Sequence, residues 1–499
     1  MIGITVTERP DIILGLDVGT TAAKASLFSL DGAVRLTASR EYPLLGPRPG
    51  WHVQEPAAIA DGVLQAMRDA VAEVDPRRVL GISVSSAMHG LVGLDADGQP
   101  LTELITWADS RAAEQAEHLN EHSTGPRLHY TSGTPTHAMS PLVKLVWFRQ
   151  NAPDLHAGAA HWLGLKDWVL FVLTGRIATE LSTASGSGMI DMEARAWNPE
   201  AIEVTGVRPE QLPEILDTTA VLNLSAAAAS ATGLRQGTPV VVGAGDGPLG
   251  NLGTGAMEPG KAGLSIGTSG ALRMVVRNPA VVSGLFCYAL TRDTWVSGGA
   301  ISNGGMVQRW LTQTFAPDCD DAEACRLAEA IPAGSDGLVM IPYLVSERAS
   351  LWDAEIRGAF LHVRRPHTPA HFIRAGVEGV ALQLSTILRR LRMIARVEEV
   401  RATGGVFRSP LWRDVVAGVL NRPLVVTGSA EGSGLGAAIL GAYALGAVDS
   451  LAAGYDLLRG EKTEDRIIVP DADLAAYETL RYGMPALLQR YGRLGNDLR

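Results

Sequence analysis

Two aspartates stand where phosphoryl chemistry would want them: Asp17 in Gly15-Leu-Asp-Val-Gly-Thr-Thr and Asp246 in Val240-Val-Val-Gly-Ala-Gly-Asp-Gly. The first phrase has a second copy, Gly263-Leu-Ser-Ile-Gly-Thr-Ser, and each copy is followed by another run (Ala25-Ser-Leu-Phe; Leu272-Arg-Met-Val-Val). Two strands joined by a Gly-Thr turn make a hairpin. Its small residues let backbone N–H groups face outward as a concave anion site. The first copy carries Asp17 where the second carries Ser265. A duplicated phosphate hairpin with one acid predicts two related domains facing one nucleotide, the acid being reserved for its metal. Gly19, Thr20, Thr21 and Lys24 lie behind Asp17. They supply donors for phosphate oxygens, and a carboxylate can hold Mg²⁺, often through water. An acid at a strand end is ordinarily a turn former or cap; the second hairpin is what changes that reading.

Asp246 follows an apolar run that reads as a strand, between glycines that allow a ligand close approach. Seen alone, Gly-Asp-Gly is a solvated loop. Phosphoryl transfer to an alcohol needs an acceptor for the hydroxyl proton, and a carboxylate suits that work. Asp17 for the metal and Asp246 for the base would divide the labour. Two familiar motifs match and fail. Gly245-Asp-Gly-Pro-Leu-Gly fits the dinucleotide fingerprint, but no acid lies near the ~20-residue offset of a ribose contact. Gly255-Ala-Met-Glu-Pro-Gly-Lys-Ala approaches a P-loop, but ends in Ala262 and is followed by a strand rather than a helix.

Other glycines suggest nucleotide contacts. Gly404-Gly405 after the strand Val400–Thr403 would let adenine approach the backbone. Gly304-Gly305 would offer a phosphate the N-terminus of a helix over Met306–Thr314. Either pair alone is ordinarily only a turn. Acceptor ligands are expected from Met88-His89 at a strand end, Trp107-Ala-Asp-Ser-Arg111, and His137-Ala-Met-Ser-Pro-Leu-Val-Lys144. Hydroxylated ligands are held by directional donors and acceptors with an aromatic ring beneath. For His89, Trp107 and Met139 the plainer reading is core packing; for Lys144 it is a solvated helix face.

Around these residues the chain must supply two scaffolds. At 499 residues it exceeds one core. Its 46% apolar and 19% charged residues describe a globular protein. A net charge of −10 with no basic run argues against nucleic acid. Cys287, Cys319 and Cys325 lack metal-like spacing and read as reduced thiols of a cytoplasmic protein. Met1–Pro10 is too polar and short for a signal peptide, and no apolar run reaches the ~18 residues of a membrane span. The composition permits a homodimer without indicating one.

From Ile12 the order is strands Ile12–Asp17 and Ala25–Leu30, a strand over Ala33–Tyr42, a helix over Pro56–Val74, and a buried strand over Val79–Ser86. This order resembles the ribonuclease-H-like unit of the actin and hexokinase superfamily. The second half repeats its sense: a hairpin Gly263–Val276, a strand near Trp295, helices Met306–Thr314 and Ala370–Ala395, the strand Val400–Thr403, and a small-residue helix from Ser433. The stretch 131–224 lacks the hairpin and reads as a mostly helical insertion that shapes the acceptor pocket. Gly253–Lys261 is the expected boundary, giving α/β domains over 11–254 and 262–490.

Taken in order, Leu16-Asp-Val-Gly-Thr-Thr, Met88-His-Gly, Trp107-Ala-Asp-Ser-Arg, Gly245-Asp-Gly, Ile266-Gly-Thr-Ser and Ala402-Thr-Gly-Gly resemble the FGGY carbohydrate kinases. The resemblance implies two actin-like domains closing over ATP, Mg²⁺ and a sugar or polyol. It makes Asp246 the base and Asp17 the Mg²⁺-associated acid. It makes Thr20, Thr21, Gly267, Thr268, Gly305, Gly404, Gly405 and Ser409 nucleotide contacts, although Arg309 and Ser409 stand where glycerol kinase has amides. Met88, His89 and Trp107 fall where these kinases bind the acceptor. Ser86-Ala-Met-His-Gly-Leu and the Gly133–Leu145 stretch look most like the gluconokinase branch, with xylulokinase or another pentulose kinase as the near alternative. A sugar sensor that keeps the fold without turnover is the alternative from another class, and retention of both acids speaks against it. For a sugar acid, His137, Ser140 and Lys144 are expected around the carboxylate.

Overall fold

Both hairpins form. β1 (Ile12–Val18) pairs antiparallel with β2 (Ala22–Ser29), with Asp17 opposite Lys24. Every residue of β1 except Asp17 is buried. The reason is that both sheet faces are covered. Leu14 and Leu16 pack toward Ile59 and Val63 of α1 (Pro56–Val71), whereas Ile13 joins Leu435 and Ile439 from the far end of the chain. Alternation along a strand sends neighbouring side chains to opposite faces, so a doubly covered strand reads as a continuous apolar run.

The computed structural model describes residues 10–497 apart from 34, 354–355, 428–431, 461–464 and 471–473. The segment 1–9, and Val34 of the expected third strand, therefore lie outside the described residues. The amino-terminal sheet runs β5-β6-β4-β1-β2-β3, where β3 is Arg35–Glu41, β4 Val79–Ser86, β5 Val221–Asn223 and β6 Pro239–Gly245. β4 is parallel to both β1 and β6. The carboxy-terminal sheet runs β9-β10-β8-β7-β11-β12-β13. Its hairpin is β7 (Lys261–Ile266) with β8 (Gly270–Val276). β9 (Phe286–Thr291) and β10 (Thr294–Ile301) extend it on one side, and β11 (Glu399–Thr403), β12 (Leu424–Val426) and β13 (Arg466–Ile468) on the other. Hairpin, third strand, then two parallel strands recur in the same spatial order, so the architecture is the expected pair of actin-like α/β sheets.

The differences are local. α1 ends at Val71 rather than Val74, since Glu73 and Val74 close single turns ahead of Asp75-Pro76, and the residue before proline resists helix. In the stretch 131–224 helices are the main regular elements, α2 (Pro141–Asn151), α3 (Leu165–Thr174), α4 (Leu181–Gly186) and two short ones over Pro153–Gly158 and Pro199–Thr205, but strands of two or three residues run between them, and the last strand, β5, edges the main sheet. Strands that short leave no periodicity to read. No helix among the described residues is long and apolar enough to cross a membrane.

α5 (Asp246–Gly253) follows β6, and α10 (Gly432–Ala444) is its counterpart in the second half. Between them in sequence come α6 (Gly305–Phe315), α7 (Asp321–Glu329), α8 (Pro369–Leu391) and α9 (Pro410–Leu420). α5 and α10 touch backbone to backbone. A Cβ on Gly436 would lie 2.0 Å from the Leu249 carbonyl oxygen, and one on Gly253 would lie 1.9 Å from that of Gly432. Gly250, on the same helix as Gly253, has open space instead. Gly436→Ala should therefore destabilise the protein by about 1–3 kcal/mol through overpacking. Gly250→Ala should gain up to about 1 kcal/mol from helix propensity. Thermal midpoints moving the same way in both variants would contradict this seam.

Candidate active site

The first hairpin turn is held from outside. Tyr42 donates its hydroxyl to the Gly19 carbonyl at 2.7 Å, and Gln54 Nε2 donates to the Thr20 carbonyl at 2.6 Å. Asp17 at the end of β1 accepts from Ser85 Oγ at 2.8 Å through one oxygen and from Ser433 Oγ at 2.7 Å through the other. One donor comes from β4 and the other from α10, so both halves of the chain orient this carboxylate. Lys24 and Thr21 are exposed. The Thr20 hydroxyl accepts from Trp107 Nε1 at 2.9 Å, and both residues line one cleft. It therefore positions the indole as well as the turn.

Asp246 is the first residue of α5, where a helix N-terminus favours negative charge. Burial, and next the charge of Asp17, push its carboxyl up to about 6, against the pull of Arg273, the Gly247 N–H and Arg348. The turn before it rests on a buried lysine. β6 slips register against β4 between Val241 and Ala244, and Gly243 there has φ +77°. Lys166 of α3 donates to the carbonyls freed at that irregularity: Val84 at 2.9 Å, Val242 at 3.2 Å and Ala244 at 2.6 Å. Its charge is met by the equally buried Glu180 at 3.4 Å, which caps α4. Ser182 of α4 accepts the Gly245 N–H at 3.1 Å. The residue preceding Asp246 is thus fixed through its backbone.

Asp246 opens on a cleft of about 340 Å³ walled by both halves of the chain. Thr20, Met88, His89, Trp107 and Met139 come from one side; Ser265, Gly267, Arg273, Tyr288, Arg348 and Trp352 come from the other. His89 sits at φ +67°, a left-handed conformation that costs a non-glycine residue energy. That conformation places Nδ1 2.7 Å from the Gly186 carbonyl, so Nδ1 carries the proton and Nε2 is an acceptor on the Tyr288 side, 3.5 Å from its hydroxyl. Burial pushes His89 down to about 3, so the ring is neutral. Met88 fills the space beside Gly245, where a Cβ would meet its sulfur at 2.6 Å.

The expected carboxylate ligands are not brought together. Lys144 is fully buried and donates to the carbonyls of His89 at 2.6 Å and Thr106 at 2.8 Å, with Ile105 at 3.4 Å. Burial lowers it to about 7. It clamps two loops and does not line the cleft, so the Lys144 expectation is corrected, as is its alternative as a solvated residue. Ser140 is buried at the start of α2, also away from the cleft. His137 stacks edge-on to Trp352 with centroids 5.5 Å apart, behind the cleft wall. The cations that do face the cleft are Arg273 and Arg348, which sequence reading missed. Arg273 had a signal: it lies opposite Gly263 in the hairpin and so shares a face with Ser265, to which it donates at 3.2 Å.

A second cavity of about 540 Å³ meets the first at Gly267. Thr268, Gly305, Gly405 and Ser409 line it, with Met306, Gln308, Val406 and Trp412. Space is open above Gly405, and the buried Oε1 of Gln308 has no partner among the described residues. A planar ring bearing an amino group fits that wall. Gly404 serves differently: at φ +127° it lets the chain pass within 2.0 Å, Cβ to oxygen, of the Ile266 carbonyl. The N-terminus of α6 is also not free for phosphate, which corrects that expectation. Its Gly304, Gly305 and Met306 N–H groups donate to the carbonyls of Thr268, Gly267 and Thr268 and so anchor the second hairpin turn. Around Asp17 and Asp246 the available donors are oxygens, the set a magnesium ion prefers.

The chain matches the FGGY family of carbohydrate kinases, N-terminal domain, over residues 12–253 and the C-terminal domain over 262–445. It is 36% identical to a gluconokinase of Bacillus subtilis (strain 168), over 89% of this chain and 90% of that one. The crystal structures of a gluconate kinase and of a ligand-bound xylulose kinase, both from Lactobacillus acidophilus, are equally similar to it. Each has a TM-score of 0.92 at 31% identity, covering 97% of this chain and 99% of the other. With two such domains, the repeated hairpin and an acid between them, the chain belongs to the FGGY family of carbohydrate kinases.

Proposed function

We propose that this kinase transfers the γ-phosphoryl group of ATP to D-gluconate, giving 6-phosphogluconate, with Asp246 as the general base. The observation that carries the reading is the position of Asp246. It starts a helix at the floor of a cleft shared by both halves, beside the hairpin turn where the two cavities meet. A carboxyl held near 6 is mostly ionised at neutral pH yet basic enough to take a hydroxyl proton. Met88, His89, Trp107 and Met139 would hold the acceptor, the neutral His89 accepting from a hydroxyl. Gly19, Thr20, Thr21, Lys24, Gly267 and Thr268 would face the phosphates, and Gly405 and Ser409 the adenine. Asp17 would orient magnesium, which when bound neutralises the developing charge. Gluconate is supported by the 36% identical gluconokinase and by the two guanidiniums facing the cleft. A pentulose is the second reading, favoured by the equal likeness to the xylulose kinase structure. We assign acceptor binding to 11–254 and nucleotide binding to 262–490, and place the enzyme in the cytoplasm, which its three free cysteines support. Every residue given a role here comes from one chain.

Asp246→Asn should lower kcat by at least ~10² with ATP affinity nearly unchanged; retained kcat would remove it as the base. In the wild type, kcat/KM should fall as pH drops through about 6, where Asp246 takes up its proton. Arg273→Gln removes a charge that lowers this carboxyl, so that limb should move to higher pH. Asp17→Ala should raise the Mg²⁺ concentration for half-maximal rate, whereas Ser265→Ala should barely change it; equal sensitivity would refute the division between hairpins. In a coupled ADP-release assay, kcat/KM for gluconate should exceed that for xylulose by at least ~10². A reversed preference would move the protein to the pentulose reading and leave Asp246 in place.

A further inference from the structure

We propose that Arg348 is the specificity-determining residue for a sugar acid, its guanidinium binding the substrate carboxylate at the end of the cleft away from Asp246. The inference rests on the reading of the enzyme as a gluconate kinase. Arg348 is fixed by hydrogen bonds but, among the described residues, not ion-paired. Nη2 donates to the Ile301 carbonyl at 2.9 Å and Nε approaches Ser302 Oγ at 3.3 Å, which leaves Nη1 for a ligand. Its guanidinium lies 5.0 Å over the Trp107 ring, an arrangement that holds a planar cation in place. The adjacent Glu347 is the foremost opposite charge acting on it but forms no ion pair with it. That carboxylate is taken by the N–H groups of Ser302 and Arg348 at 2.7 Å each and by Asn303 Nδ2 at 2.8 Å. Among the described residues neither cleft arginine forms an ion pair with a carboxylate. A desolvated guanidinium without an anion is costly, and a carboxylate with two coplanar oxygens matches its fork.

Position separates the two arginines. Arg273 sits beside Gly247, a Cβ on which would be 3.7 Å from its Nε, and it is the foremost cation acting on Asp246. It belongs to the reacting end. Arg348 acts less on Asp246 than Arg273 does and, together with Lys144, acts on both His89 and His137; it lies beside Trp107 and Trp352. In gluconate the reacting terminal hydroxyl and the carboxylate are at opposite ends of a six-carbon chain. With the hydroxyl at Asp246, the carboxylate reaches the Trp107–Arg348 end. Since Trp107 and Arg348 come from different halves of the chain, an acid there is gripped across the cleft.

The test compares gluconate with D-glucitol, in which a neutral CH₂OH replaces the carboxylate. Affinities are measured by calorimetry without nucleotide, and turnover by ADP release. Arg348→Gln should cut the gluconate-to-glucitol affinity ratio by roughly 10² and raise KM for gluconate far more than it lowers kcat. Arg348→Lys, which keeps the charge without the fork, should recover part of the ratio, and it secures the test if the Gln variant has a reduced thermal midpoint. Arg273→Gln should change the ratio less. An unchanged ratio in both Arg348 variants, or an equal loss for gluconate and glucitol, would overturn the assignment; the latter places Arg348 on a hydroxyl that both ligands share. Failure of the underlying reading looks different: wild-type enzyme would prefer xylulose to gluconate before any substitution is made.

Discussion

The arrangement turns on the backbone contact between α5 and α10. These helices follow equivalent strands in the two halves, and they pack so closely that side chains are excluded at the crossing. Gly253 meets Gly432, Gly436 meets Leu249, and α10 also presses on β1, where a Cβ on Gly15 would lie 2.5 Å from the Gly434 carbonyl. Around this crossing Ile13 and Phe28 share one apolar cluster with Leu249, Leu252, Leu290, Leu435 and Ile439. Protein interiors are too dense for such a contact to drift. The geometry of the two acids is attached to it directly. Asp246 is the first residue of one helix, and Ser433 near the start of the other bonds Asp17.

A second constraint lies beneath Asp246. The irregularity in β6 that aims Gly245 and Asp246 into the cleft leaves carbonyls without ladder partners, and unpaired buried carbonyls are costly. Lys166 answers three of them at once and is balanced by Glu180. An apolar side chain could fill that volume but could not satisfy those acceptors. The buried ion pair is thus better understood as the condition for an irregular strand than as a source of stability.

Much of this is legible in the sequence, and the reason is locality. The hairpins, the Asp17/Ser265 difference and the Gly-flanked Asp246 are each encoded within a few residues, because a tight turn constrains its own composition. The strand Val79–Ser86 has the bounds its apolar run predicts. Direction is harder. Lys144 and Arg348 are both cations close to the residues of the cleft, but the one on a helix points inward to loop carbonyls. The one in an unremarked loop points into the cleft. A residue's orientation on a helix with neighbours on every side is set by tertiary packing, as the seven buried positions in α2 show. Arg273 was within reach, since cross-strand register places it beside Ser265 once the hairpin is drawn.

The charge distribution explains why two guanidiniums would be kept in so small a cleft. The chain carries a net charge of −10, which by itself would repel both an anionic acceptor and a nucleotide. At physiological ionic strength, exposed charges are screened beyond about 8 Å, so the distant surface acids contribute little inside the cleft. Buried charges are screened far less. Asp246 is then governed by its neighbours: Asp17 raises it and Arg273 and Arg348 lower it. Those same arginines supply the local positive potential that an anionic ligand meets on entry. Arg273 is the foremost of the two in lowering Asp246, so the second guanidinium, with its desolvation cost, is matched better by an anionic ligand than by a neutral one.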